Sequence, residues 1–388
     1  MAVSGVAPQN RSAGRLPVDQ GLLGVVACLL LVGFVMMTSA SIHLRGGGLH
    51  FAQKQLMHLL VAVVFAYGVW RVPLRWWQRL GPVLLLGGLL LLLAVKIPGL
   101  GVTVKGSTRW LNLPGFRLQV SEPFKWIAVI YLAGYVVRHG EALRRDALAF
   151  LRPLGLLGLG ALLLLWEPDF GAAAVLMATA VGLLFLAGAR LLPLAVLFLS
   201  LLAAGAALVV WEPYRMRRLI GFLDPWAHAQ DAGYQLAQAL IAFGRGGWFG
   251  VGLGNSVQKM FYLPEGHTDF LLAVIGEELG WLGVAGVIVA FGMLLWRIFA
   301  IARLAERANL VFGACLTYGI GLWIGLTAVI NIGVNLGVLP TKGLTLPLMS
   351  YGGGSLVIDC MALGMVLRVD AEARELLAAT PGRKPWRG

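Results

Sequence analysis

Long apolar runs separated by short polar breaks repeat along the whole chain. In order, the runs predict ten membrane spans, near residues 21–42, 56–70, 80–95, 124–137, 154–166, 170–189, 191–211, 270–295, 310–335 and 344–367. Most of them approach or exceed the roughly 20 residues with which a helix crosses a bilayer. The pattern predicts an all-α, polytopic membrane protein, with one integral domain over residues 19–370 between polar tails at 1–18 and 371–388.

Composition supports this pattern and excludes a soluble globular domain. The 388 residues are 59% hydrophobic and 13% charged, and the mean hydropathy is +0.82. The first run, Gly21 to Ile42, is too long for a signal-peptide core and lacks a small-residue cleavage site, so we expect a retained helix. Cys28, Cys315 and Cys360 lie in apolar segments without CxxC or Cys/His spacing, which indicates neither a disulfide framework nor a zinc site.

Positive charge predicts the orientation of the helices. The net charge of +13 would suggest nucleic-acid binding in a soluble protein, but here the arginines cluster in short connections between apolar runs. With a cytoplasmic N terminus, more than half of the 31 Lys and Arg residues fall on the cytoplasmic side, in keeping with the positive-inside rule. Omitting span 154–166, or merging 170–189 with 191–211, would place later basic connections outside. The pattern therefore favours ten helices with both termini in the cytoplasm.

The remaining cations concentrate in two long connections that this orientation places outside the cell. These are residues 96–123 and the large loop 212–269 between the seventh and eighth helices. Long loops in compact proteins tend to carry function, so candidate chemistry is expected there.

The first candidate stretch, "GSTRWLNLPGFRLQVSEPFKW" at 106–126, mixes cations and aromatic residues. Arg109, Trp110 and Lys125 suit either an interfacial belt that anchors helix ends or a binding site. Glu122 favours the second alternative, because a carboxylate at a helix entrance is costly unless it caps, pairs or binds a ligand.

Two further stretches favour structural explanations. Glu167 and Asp169 flank a proline just before the sixth span, which is typical of helix capping. The glycines between 244 and 254 match neither of the nucleotide-binding spacings GxGxxG and GxxxxGK[ST]. We therefore expect a bend there, after a short amphipathic surface helix over 234–243.

The stretch "YLPEGHTDF" at 262–270 places several ionisable groups at the mouth of the eighth span. Thr268 and Asp269 stand where a helix cap is expected, and capping alone would explain both. Glu265 and His267 beside them favour a functional site, in which Asp269 would act as a general base. Both alternatives stay open on these residues alone.

The last candidate stretch is "NIGVNLGVLPTKGLTLPLMSYGGGS", residues 331–355. Asn331 and Asn335 share one helix face, and Lys342 stands in an external turn where it would cap the ninth helix or bind a ligand. Ser350 precedes a glycine run that indicates close packing or local unwinding around a cavity.

Taken together and in this order, the motifs resemble the SEDS family of cell-wall polymerases. The resemblance rests on "GSTRW…QVSEPFKW", "EPDFG", "FLDPW", "GYQLAQALIAFGRGGWFGVGLGNS", "YLPEGHTDF…GEELG" and the stretch above, and it covers about residues 20–370. The variants "GLGNSVQK" and "LPTKGLTLPLMSYGG" are more similar to the division branch of the family than to the elongation branch.

The resemblance implies a function, partners and a location. Members are ten-helix glycosyltransferases that polymerise lipid II on the outer face of the bacterial plasma membrane, each with a class B penicillin-binding transpeptidase. It implies lipid II and the nascent lipid-linked glycan as ligands, other divisome membrane proteins as partners, and the division septum of the inner membrane as the location. It implies no nucleic-acid partner.

The family motifs carry over to individual residues. The resemblance implies Asp269 as the catalytic residue, and the residues that we expect to bind substrate are Arg109, Trp110, Glu122, Lys125, Arg215, Arg218, Lys259, His267, Lys342 and Ser350. Three positions depart from the family pattern, Val120, Ala239 and Gly354, and none of them touches the Asp269 motif. No cofactor is implied, although Mg²⁺ or Mn²⁺ stays open because no dedicated carboxylate cage is visible.

Two other functions fit the same composition. A lipid II flippase predicts polar groups along a path through the membrane, and few are seen in the cytoplasmic half. A non-catalytic scaffold that recruits a transpeptidase predicts that Asp269 is dispensable for wall synthesis.

Overall fold

The computed structural model describes residues 18–43, 47–104, 107–113, 116–146, 149–341 and 343–379. Outside the described residues lie 1–17, which make up nearly all of the predicted N-terminal tail, Lys342, and 380–388. In chain order the elements are α1 (Gln20–Ser41), α2 (Gly47–Arg71), α3 (Leu74–Ala94), β1 (Gly101–Val104), β2 (Ser107–Leu113), β3 (Phe116–Gln119), α4 (Ser121–Arg145), α5 (Leu151–Trp166), α6 (Phe170–Leu186), α7 (Leu191–Trp211), α8 (Pro213–Leu223), α9 (Tyr234–Gly246), α10 (Leu271–Arg307), α11 (Val311–Asn335) and α12 (Gly353–Ala378).

Each predicted apolar span overlaps one of the helices α1–α7 and α10–α12. Within the described ranges, six helices are long and apolar enough to cross a membrane: α1, α2, α3, α7, α10 and α11. Helices α5 and α6 are apolar but shorter. The polytopic, predominantly helical membrane fold is therefore confirmed, while the number of crossings and the side of each terminus stay predictions.

The helices differ sharply in how much of their surface the protein covers. The most apolar window of α11 is 67% buried, whereas that of α7 is 6% buried. Helix α11 thus lies in the centre of the bundle and α7 at its edge. Phe124 at the start of α4 is fully buried, and a Cβ at Gly160 of α5 would lie 2.3 Å from its ring. This close approach fixes the beginning of α4, which carries two candidate site residues.

The connection 96–123, which the sequence predicts to be external, contains a small antiparallel sheet that was not predicted. Its strand order is β1-β2-β3, and Trp110 on β2 is paired with Gln119 on β3. Alternation of polar with aromatic and aliphatic residues in "STRWLNL" favours a strand, but an interfacial belt uses the same residue types. The sheet leads directly into α4.

The larger connection 212–269 is mostly ordered as α8, α9 and a glycine-rich loop. Helix α9 confirms the predicted amphipathic segment. The loop packs on a break in α10 at Gly280, whose φ of 69° is left-handed. There Val251 N donates to the Glu277 carbonyl oxygen at 2.9 Å and Trp281 N donates to that of Gly247 at 2.9 Å. The loop thus pairs with the broken part of α10 through backbone hydrogen bonds. The two backbones can approach this closely because the loop is rich in glycine.

The predicted tenth span begins too early. The span was predicted over 344–367, but α12 begins at Gly353, and residues 343–352 form irregular chain. Pro347 and the left-handed Leu348 (φ 64°) interrupt any helix there. At its other end α12 continues to Ala378, so residues 371–378 belong to the helix rather than to a separate tail.

Candidate functional site

A cavity of about 1750 Å³ opens between the small sheet, α8 and the turn before α10. Its lining brings together eight of the predicted site residues: Arg109, Trp110, Glu122, Lys125, Arg215, Arg218, His267 and Asp269. They come from four separate stretches of the sequence. The fold therefore assembles carboxylates and cations around one space that is large enough for a sizeable polar ligand.

Asp269 occupies the turn that precedes α10. The N-cap position of this helix is Phe270, and no side-chain hydrogen bond from that residue caps it. Ala273 N, in the first turn, instead donates to Asn335 Oδ1 at 3.2 Å. One backbone N–H of the first turn of α10 is thus satisfied from α11, while the roles of Asp269 as a cap and as a base both stay predictions. A Cβ at Gly343 would lie 3.2 Å from Asp269 Oδ2, which locates the carboxylate beside the cavity-lining chain 343–345.

The turn around Asp269 is fixed by the irregular segment before α12. Ser350 Oγ donates to the Thr268 carbonyl oxygen at 2.5 Å, and Tyr351 N donates to that of His267 at 2.9 Å. Ser350 is buried and is not among the residues that line the cavity. Its predicted role in substrate binding is corrected to a structural one, because its hydroxyl is used inside the protein.

The floor of the cavity holds a buried ion pair. Lys125 Nζ lies 2.9 Å from Glu122 Oε1, and the Lys125 side chain is only 3% exposed. The same ammonium lies 5.5 Å from the centre of the Trp323 ring, within range of a cation–π contact. Asp359 of α12, which the sequence analysis missed, also lines this part and accepts a hydrogen bond from Leu348 N at 3.3 Å.

The Asp169 side chain contacts both α6 and residues of the small sheet. Its Oδ1 accepts Ala172 N at 3.1 Å, which confirms the predicted cap. Its Oδ2 accepts Gln119 Nε2 at 2.8 Å and lies 4.0 Å from Arg109 Nη1. One carboxylate therefore caps a helix and orients two cavity residues.

Glu167, two residues earlier, is a second carboxylate at this junction. It is 1% exposed, and neither of its carboxylate oxygens has a hydrogen-bond partner within the described part of the chain. Burial, and to a smaller degree the neighbouring Asp169, raise the pKa of Glu167 to about 8, while Lys96 and Arg109 act in the opposite direction. The capping role that the sequence predicts for Glu167 is not seen, because the side chain that caps α6 among the residues described is that of Asp169.

Helix α8 contributes two cations to the cavity. Arg215 Nη1 donates to the Leu208 carbonyl oxygen at 3.0 Å, and its guanidinium lies 5.5 Å from the ring centre of Phe170. Arg218 Nη1 donates to the Thr341 carbonyl oxygen at 3.4 Å. These contacts hold both side chains at the wall of the cavity, where an anionic ligand would meet them.

Lys259 is not part of the cavity, and its predicted role in substrate binding is corrected. Its side chain is completely buried, with Nζ 2.7 Å from Glu278 Oε1. The sequence showed a cation in an external loop but not the direction of its side chain, which points into the protein.

The cavity also contains residues that the sequence analysis missed. Lys54 and His58 on α2 line it, and they stand four residues apart at the start of the predicted second span. Ionisable groups within a membrane helix are candidates by default, so this spacing could have identified them. Among the residues described, no three His, Cys, Asp or Glu side chains form a group that could hold a metal ion.

Comparison with known proteins identifies the family. The family model of the FtsW, RodA and SpoVE proteins, described as "Cell cycle protein", matches residues 20–375. The chain belongs to the FtsW/RodA/SpoVE family. This confirms the motif resemblance, because these proteins are the SEDS family.

Two curated relatives in this family are similar over nearly their whole length. The probable peptidoglycan glycosyltransferase FtsW of Methylomonas methanica is 51% identical over 378 residues, which are 96% of this chain and 97% of that protein. The protein of the same name from Nitrosococcus halophilus is 54% identical over 381 residues, 96% of this chain and 95% of that protein. Both are FtsW proteins, in agreement with the likeness of the motifs to the division branch.

A solved structure shares the fold. A chain from a peptidoglycan synthase complex, in which polymerization and crosslinking are coordinated, superposes with a TM-score of 0.76 and 30% identity. The match covers 92% of this chain and 99% of that chain. The fold of this chain is thus the fold of that protein as well.

Proposed function

We propose that this chain is a peptidoglycan glycosyltransferase that polymerises lipid II into glycan strands during septal wall synthesis. The observation that carries the proposal is the position of Asp269, at the wall of a cavity that also presents Arg109, Arg215 and Arg218. The names of the FtsW relatives supply the reaction class. The cavity supplies a base and cations at one place, as a transfer with an anionic leaving group requires.

The reaction divides into roles for these side chains. The Asp269 carboxylate takes the proton of the 4-hydroxyl group of the acceptor GlcNAc, whose oxygen forms a bond to C1 of the donor sugar. The C1–O bond to undecaprenyl pyrophosphate breaks, and the leaving group carries away the electron pair. General base catalysis of this kind contributes about 10²–10⁴-fold. The cavity arginines and Lys125 stabilise the charge that grows on the pyrophosphate.

The proposed reaction requires the cavity to face the outside of the inner membrane. Ten crossings with both termini in the cytoplasm put the sheet, α8 and the Asp269 turn outside the inner membrane, where lipid-linked precursors are joined. A class B penicillin-binding transpeptidase is the expected partner, with other divisome proteins at the septum. The relative from a peptidoglycan synthase complex, in which polymerization and crosslinking are coordinated, supports such a partner.

The test is polymerisation of labelled lipid II by the purified chain with its transpeptidase, comparing wild type with Asp269→Asn at equal folded amounts. We expect polymer only from the wild type. Normal polymerisation by Asp269→Asn would remove the base assignment. Translocation of lipid II without any polymer from the wild type would identify a flippase instead.

A further inference from the structure

Two buried asparagines hold the backbone of Asp269. Asn331 and Asn335 lie one turn apart on α11, and both are almost inaccessible to solvent. The Nδ2 group of each donates a hydrogen bond to the Asp269 carbonyl oxygen, at 2.9 Å in both cases. A carbonyl oxygen has two lone pairs, so this pair of bonds uses its full accepting capacity.

The same amides connect this peptide group to two other elements. Asn331 Nδ2 also donates to the Leu344 carbonyl oxygen at 2.5 Å, in the irregular segment before α12. Asn335 Oδ1 accepts Ala273 N at 3.2 Å, in the first turn of α10. Helix α11, the start of α10 and the segment before α12 are therefore connected next to the peptide group of Asp269. Each of the two side-chain amides contacts Asp269 and one further element.

The geometry has a direct consequence for the Asp269 side chain. Its carboxylate is separated from its own backbone by a single methylene group, so the orientation of the backbone sets where the carboxylate can lie. Rotation of the main chain at Asp269 would break both bonds to its carbonyl oxygen. Ser350 restrains the preceding residue in the same way, through its hydrogen bond to the Thr268 carbonyl oxygen at 2.5 Å.

We propose that Asn331 and Asn335, with Ser350, are positioning residues that hold the Asp269 backbone so that its carboxylate is presented to the cavity. The inference rests on the proposed function, in which Asp269 is the general base. None of the three acts on the substrate. A displacement of about 1 Å in a reacting group can cost about 100-fold in rate, so loss of this support should reach kcat.

The test uses Asn331→Leu and Asn335→Leu, which keep the side-chain size but remove the amide. We expect kcat for polymerisation of lipid II to fall about 100-fold while KM stays close to wild type. Thr317→Val is the matched control, since Thr317 is a buried α11 residue whose hydroxyl has no hydrogen-bond partner in the described part of the chain.

Each other result has a defined meaning. If Asp269→Asn is inactive while both leucine variants keep wild-type kcat, the positioning role is wrong and the base assignment stands. If Asp269→Asn polymerises normally, the base assignment itself is wrong. An equal loss in Thr317→Val would also overturn the positioning role. If the leucine variants do not fold, Ser350→Ala decides: a lower kcat with unchanged KM supports the role, and wild-type kcat overturns it.

Discussion

Lys259 and Glu278 form an ion pair of 2.7 Å in which both side chains are completely buried. Ser39 on α1 donates to the same carboxylate at 2.8 Å, and the Lys259 ammonium also donates to the Gly254 carbonyl oxygen at 2.7 Å. The pair therefore links the connection 212–269 to α1 and α10. A buried charge is tolerated only when it is paired and hydrogen-bonded, as here.

Removing one member of this pair should destabilise the protein rather than weaken substrate binding. Lys259→Met leaves the Glu278 carboxylate buried without its counter-charge, which costs about 3–5 kcal/mol. We expect a clearly lower melting temperature in detergent, with an unchanged KM for lipid II in the folded fraction. Lys259→Met combined with Glu278→Leu should recover most of the stability. A variant with wild-type melting and a raised KM would instead place Lys259 in the substrate site.

Lys125 should matter for catalysis because its charge lies in the cavity floor. We expect Lys125→Met to lower kcat/KM by about 100-fold, the scale seen when one charge-stabilising donor is lost. Lys125→Arg should recover little, since the planar guanidinium does not replace a compact ammonium between Glu122 and Trp323. Both variants are compared with wild type in the lipid II polymerisation assay.

Lys96→Met is the control for this prediction. Like Lys125, Lys96 lies beside a tryptophan ring, with its Nζ 5.3 Å from the ring centre of Trp166. Unlike Lys125, it does not line the cavity. It should keep wild-type activity. An equal loss in both methionine variants would show that any external cation has the same effect, and the specific role of Lys125 would be wrong.

The sequence was sufficient to locate the apolar helices but not all of their ends, and it gave no sign of α8. Apolar runs mark helices because a lipid-facing segment must satisfy its backbone hydrogen bonds internally. The run after Thr345 is equally apolar, yet it is irregular chain buried against other helices. Periodicity alone does not separate a buried irregular segment from a helix. The small sheet was missed for a similar reason, since aromatic and cationic residues suit a strand and a membrane interface equally.

Site residues could be predicted where they belong to a recognisable motif. They could not be predicted where their role depends on the direction of the side chain. Asp269 and Lys125 belong to stretches whose ionisable groups are costly in a membrane unless used. Lys259 and Ser350 belong to similar stretches, but their side chains point into the protein. Asp359 is a single carboxylate within an apolar span, and its place in the cavity depends on how α12 packs.

Glu167 should make stability depend on pH. Its pKa is raised from 4.5 to about 8 in the folded protein. Between these values the folded carboxyl keeps a proton that the unfolded one loses, so stability falls as pH rises through this range. We expect the melting temperature of the wild type to decrease over this range and that of Glu167→Gln to decrease less. Glu141→Gln, at an exposed position on α4, is the control and should follow the wild type. Parallel curves for wild type and Glu167→Gln would contradict the prediction.

Gly343 limits the space available to the proposed base. A Cβ at this position would lie 3.2 Å from Asp269 Oδ2, so a side chain there must displace the carboxylate by a few tenths of an ångström. Gly343 is exposed at the cavity, so little packing is at risk. We therefore expect Gly343→Ala to lower kcat and Gly343→Val to lower it further, both with wild-type melting temperatures. The control is Gly286→Ala on α10, where a Cβ meets nothing within 4 Å. Wild-type kcat in Gly343→Val would mean that the carboxylate does not act from the position it occupies here.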